Sequence, residues 1–147
     1  MRERLKMIAE LPELNVLMFS VLLNLPWELW QIAFFGGMAD VPHWQGVLEC
    51  TRATAGDAVI SLVCYSIVSA LWRERRWIAR PTKAPIATFV AAGLVITAVS
   101  ELFSVRLLSR WTYSALMPEV GGVGVLPLLQ WLLIPPALIC LVRRQLR

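Results

Sequence analysis

Charge is scarce in this sequence, and histidine scarcer. Of 147 residues, 16% are charged and one is histidine. A soluble domain averages about 25% charged residues, so an ordinary water-soluble globule is a poor fit. Cys50, Cys64 and Cys140 make an odd count with no CxxC spacing, which argues against a disulfide framework and gives a zinc site no support. His43, flanked by Pro42 and Trp44 with no HxxxH or ExxH spacing, reads as a loop residue before it reads as a metal ligand. Gly121, Gly122 and Gly124 lack the GK[ST] ending of a phosphate loop and read as a flexible lead into a helix. There is no internal repeat, no low-complexity tract and no nucleic-acid-binding motif. The net charge of +4 does not imply a nucleic-acid partner, because most basic residues flank apolar runs. No motif names a cofactor, so the cofactor is unknown at this level, and no metal is assigned.

What is abundant is apolar: 58% of the chain is hydrophobic. Four runs, at residues 14–35, 53–72, 85–105 and 123–142, are long enough to cross a hydrocarbon core, which takes about 20 helical residues. None alternates as a barrel strand would. The first is too long for a signal-peptide core and contains Glu28, so it is expected to stay as a mature helix. The expected fold is an all-α membrane protein, a single integral domain built as a four-transmembrane-helix bundle. Residues 1–13, with Leu5, Ile8 and Leu11 on one face, read as an interfacial helix. A second short interfacial helix is expected at 107–116, in the loop before the fourth span, closed by Met117 and Pro118.

Basic residues set the direction. Eleven of the fourteen precede the first span, lie between the second and third, or follow the fourth. Arg52, Arg106 and Arg110 fall on the other side. An even number of spans then puts both termini in the cytoplasm, and the size of the bias argues against dual topology. Small size and this clean pattern point to a bacterial inner membrane. The basic 73–83 connection is expected to do no more than anchor to anionic headgroups.

Once direction is fixed, the polar residues gather. Glu28 and Gln130 come out roughly 10 Å below the outer surface, and Asp57 and Glu101 roughly 6 Å, at 1.5 Å per helical residue. Four spans thus each supply a polar group to one outer-leaflet layer. Ser20, Asn24, Glu28 and Gln31 form one stripe at helical spacing; Thr54, Asp57, Ser61 and Tyr65 form another; Thr97, Glu101 and Ser104 share a face. Five of the seven tryptophans, Trp27, Trp30, Trp44, Trp111 and Trp131, belong to the same outer half. Pro26 and Pro127 are expected to free carbonyls there, and Pro135–Pro136 to kink the fourth span.

Intramembrane ionisable groups face the bundle interior or water. Glu28, Asp57 and Glu101 are therefore the candidate acid/base or ion-binding residues. A carboxyl held out of water keeps a proton more readily and can donate it. Asn24, Trp27, Gln31, Trp111, Tyr113, Gln130 and Trp131 are candidate ligand contacts, since pockets pair apolar walls with a few placed polar groups. The structural alternative has the carboxyls pairing with Arg52, Arg106 or Arg110, or bonding to Asn24 and Gln130, as glue between helices.

Three functions compete. The first is a pocket for a lipid-like or other small amphipathic molecule, with or without catalysis. The second is a structural or assembly subunit of a membrane complex. The third is a small proton- or cation-coupled transporter, working as a homodimer; the nearly apolar stretch 134–142 counts against it. The expected partners are the lipid bilayer, a small amphipathic ligand, and a second copy or another membrane subunit.

Overall fold

The computed structural model describes residues 10–147. Most of the interfacial helix expected at 1–13 therefore lies outside the described residues. Four helices are long and apolar enough to cross a membrane. They are α1 (Pro12–Gln31), α2 (His43–Trp72), α3 (Lys83–Leu102) and α4 (Val125–Gln145). α1 opens with Pro12 at its first position, where a missing N–H costs nothing. It runs on into a 3-10 turn, Ile32–Phe34. α3 runs on into a π turn, Phe103–Leu107, which Ser109 ends with a left-handed φ of 46°. A two-residue hairpin leads into α4: β1 (Glu119–Val120) pairs antiparallel with β2 (Val123–Gly124). Gly121 and Gly122 form its tip with φ of 61° and 82°, both positive as a type I′ turn demands. The expected flexible lead is thus a defined turn.

α1 packs mainly on α2 and then on α4, while α3 packs on α2 and α4. The distribution of polarity is inverted relative to a water-soluble fold. Ser20, Asn24, Glu28, Gln31, Ser61 and Gln130 are buried, while Leu22, Val59, Val95 and Leu133 are more than half exposed. A helix surface of leucine and valine around a polar interior is stable when the surrounding solvent is itself apolar.

The apolar core fills the half of the helices nearest the 73–83 connection, with Val16, Val68, Phe89, Leu138 and Val142 all at or below 1% exposure. The connection is part of that core. Arg73 turns the chain back with a left-handed φ of 51°, and the 3-10 turn Trp77–Ala79 buries Trp77 and Ile78. Trp77 stacks on Tyr65 at 5.9 Å and meets Phe89 at 5.8 Å; Phe89 meets Trp131 at 6.2 Å. The Tyr65 hydroxyl donates to the Arg75 carbonyl, and the Arg75 guanidinium grips Glu13 with Nε at 2.7 Å and Nη2 at 3.1 Å. The segment expected only to anchor to headgroups plugs the bundle, leaving its arginines outside.

Three further expectations are corrected. No helix forms at 107–116. Beyond Ser109 the chain is irregular up to a turn at Ala115 and Leu116, and Tyr113 bridges antiparallel to Phe35. Backbone hydrogen bonds of this strap run across to Gly36 and Phe34, and one, from Met117 N to Ser114 O, closes a turn within it. α2 starts at His43, ten residues before the expected span, because nothing from 43 to 72 breaks it and Pro42 sets an extended residue ahead of it. Finally, Pro127 lies in the first turn of α4, where no intrahelical acceptor awaits its nitrogen, so it frees no carbonyl.

Candidate functional site

The α1 stripe is a connected chain of hydrogen bonds. Ser20 Oγ lies 2.9 Å from Ser61 Oγ on α2, and Asn24 Nδ2 donates to Ser20 Oγ at 2.9 Å and to its carbonyl at 2.8 Å. Gln31 Nε2 donates to Glu28 Oε1 at 2.7 Å, and Trp27 Nε1 donates to Gln31 Oε1 at 2.9 Å. The 3.6-residue period puts these groups on one line, and as buried polar groups they bond to one another.

Gln130 on α4 joins three helices. Its Nε2 lies 2.8 Å from Asn24 Oδ1, 3.0 Å from Glu28 Oε1 and 2.9 Å from Asp57 Oδ2. An amide nitrogen carries two hydrogens, so three acceptors share two donors. Glu28 and Asp57 are held against a common point in this way.

Glu101 is positioned from another direction. Its Oε2 accepts from the Tyr113 hydroxyl at 2.5 Å and from Trp111 Nε1 at 3.4 Å. Both donors come from the strap that replaces the expected helix. Thr112 O accepts from Gly36 N at 2.7 Å, and Ser114 N donates to Phe34 O at 2.9 Å. The Tyr113 hydroxyl also accepts the Gly124 N–H at 3.0 Å. Burial, and then its bond to Glu101, pushes the Tyr113 phenol up from its ordinary pKa, so it stays a proton donor.

A cavity of about 650 Å³ connects these parts. Glu28, Asp57, Glu101, Gln31, Gln130 and Trp111 all line it. Asn24, Trp27, Tyr113 and Trp131 do not. Asn24 supports Gln130 from below, Trp27 holds Gln31 from beside, and Tyr113 holds Glu101 from behind. Trp131 is a core residue: its ring lies on α3 at Gly93, where any Cβ would overlap it.

The cavity also has walls that sequence reasoning missed. Ile32, Phe35 and Met38 close one side, just beyond the end of α1. The extended start of α2 supplies Glu49, Cys50, Arg52, Ala53 and Gly56, and Cys50 Sγ donates to the Glu28 carbonyl at 3.3 Å. A signal existed in the unbroken helical stretch after Pro42.

The arginines do not neutralise the carboxyls. Arg52 pairs with Glu49 at 2.5 Å, both largely exposed. Arg106 lies against Gly122, and Arg110 is exposed while lining the cavity. Among the described residues, Glu28, Asp57 and Glu101 have no salt bridge and are held by neutral donors. His43 is exposed at the first residue of α2, away from the cavity. Chemically, the arrangement offers acidic groups against an aromatic and aliphatic wall. Comparison with protein-family models, curated proteins and solved structures finds no match to this chain.

Proposed function

We propose that this chain is a four-transmembrane-helix bundle of the bacterial inner membrane, with both termini cytoplasmic. In this reading it binds a lipid-like or other small amphipathic molecule in an outer-leaflet cavity. The observation that carries the reading is the cavity itself. It has drug-sized volume, and its lining combines the carboxyl groups of Glu28, Asp57 and Glu101 with the apolar side chains of Ile32, Phe35, Met38, Ile60 and Trp111. A molecule with one polar and one apolar part matches that mixed lining. Glu28 and Asp57, meeting at one amide, and Glu101, meeting a phenol, are the groups available for acid/base chemistry on it.

Native mass spectrometry of the full chain, released from mild detergent, tests this. The wild type is expected to retain a bound small molecule. Glu28→Gln, Asp57→Asn and Glu101→Gln variants are expected to fold, by circular dichroism, and to lose at least tenfold of that occupancy. Unchanged occupancy in all three would overturn the proposal.

The Gln130 contact supports a second reading, in which the polar layer is interhelical glue of an assembly subunit. Under it the amide variants lower the melting temperature without touching a ligand, and a stoichiometric partner co-purifies.

A further inference from the structure

The chemical class of the ligand can be narrowed, on the premise that the cavity is a binding site. Three carboxyl groups border it, and each is held by neutral amide, phenol or indole donors. The cations that also line it are Arg52, engaged by Glu49, and Arg110, exposed to solvent. An anionic group would meet three carboxyl groups, with Arg110 as the one lining cation that no carboxylate engages among the described residues.

Two independent features point the same way. Trp111 and Tyr113 bond to Glu101, and the ring of Phe35 lies against both. Phe35 meets Trp111 edge-on, with centroids 6.5 Å apart and planes at 82°, and meets Tyr113 at 5.9 Å. Rings set at steep angles beside a carboxyl are the arrangement that recognises alkylated ammonium groups, through the negative faces of the π systems. One helical turn before Glu101, Thr97 lines the same cavity at 7% exposure, and its Oγ1 is buried with no hydrogen-bond partner. A buried hydroxyl without a partner is rare, and its residue borders the space a ligand would fill.

We infer that the cavity takes an organic ammonium ion carried on an apolar body, its charge seated between Glu101 and the rings of Phe35 and Trp111. Glu28 and Asp57 offer further carboxyl oxygens in the same cavity. The apolar body rests on Ile32, Ile60 and Met38.

The probe is radiolabelled benzyltrimethylammonium, titrated onto the full chain in phosphatidylglycerol nanodiscs with empty discs subtracted. Neopentylbenzene, its neutral isostere, serves as competitor. Saturable binding is expected, with the isostere at least tenfold weaker as competitor. Trp111→Leu and Glu101→Gln are expected to weaken binding at least tenfold, and Trp111→Phe to restore most of it. Glu74→Gln, at an exposed position outside the cavity lining, is expected to change it less than twofold. Gly56→Trp blocks the cavity without a clash at its root, since nothing lies within 4 Å of a Cβ there.

Equal competition by the isostere, abolished by Gly56→Trp, would overturn the ammonium assignment and leave the pocket reading standing. Absence of saturable binding also overturns it, and the retained molecule sought above then tests the pocket separately. A repeat in discs containing phosphatidylcholine separates two sources of the ion. A weakened apparent affinity there identifies a lipid headgroup as the occupant, and an unchanged one identifies a free ammonium compound.

Discussion

Gly93 sets how closely α3 and α4 approach. A methyl group at its Cα would overlap the indole of Trp131, which is 4% exposed and cannot swing away. Gly93→Ala is therefore expected to lower stability by about 1–3 kcal/mol, as overpacked cores do. Thermal unfolding in detergent measures it, and a second change, Trp131→Phe, should recover part of the loss. Gln130 makes the opposite kind of case. Gln130→Leu keeps the volume but leaves Asn24, Glu28 and Asp57 without their shared donor. Removing the donor from a buried acceptor costs about 1–3 kcal/mol, more where charge is involved, so this variant is expected to melt below Glu28→Gln. At this scale the sequence was readable where spacing decides the outcome. Ser20, Asn24, Glu28 and Gln31 follow one another about one turn apart on a helix and therefore face one way. It was not readable for Trp131, because the notch that receives its ring belongs to a different helix, and one-dimensional spacing carries no information about that partner.

Four elements were legible because lipid-crossing helices need long apolar runs, and that requirement is written directly in composition. Their ends were less so. The first turns of α2 carry Gln45, Glu49 and Arg52, so a hydropathy boundary falls inside the helix rather than at its start. The strap at 108–118 contains ordinary helix formers, yet Thr112 and Ser114 bond to Gly36 and Phe34, just after α1. Such pairing is tertiary and overrides local propensity. The 73–83 connection shows the same limit, since its arginines suggested the headgroup region while its two buried residues, Trp77 and Ile78, close the core. Trp77→Ala is expected to cost about 3–5 kcal/mol, the usual range for emptying a buried aromatic site. Trp72→Ala, whose side chain is 48% exposed, is expected to stay within about 0.5 kcal/mol. Paired melting curves in the same detergent distinguish a plug from an anchor.

For the molecule as a whole, the proposed orientation has a direct check. A cysteine placed at residue 80, in the connection after α2, should resist a membrane-impermeant maleimide in intact cells. One placed at Val120, beside the hairpin tip before α4, should react. The native cysteines are replaced first, since Cys140 is exposed. Reversed labelling would move the cavity to the cytoplasmic leaflet. With the orientation as proposed, the length of α2 takes on meaning. Its 30 residues span about 45 Å at 1.5 Å each, against a hydrocarbon thickness of about 30 Å. Fitting it entirely within the hydrocarbon would need a tilt of about 48°, beyond the range of about 0–40° that such helices adopt. Its first turns must therefore stand as a ledge in the headgroup zone, and those turns are one wall of the cavity. A guest could then slide in along the boundary between water and lipid without ever dissolving in either. What governs its capture in that case is its mole fraction in the leaflet, a two-dimensional quantity, and not its molarity in the surrounding water.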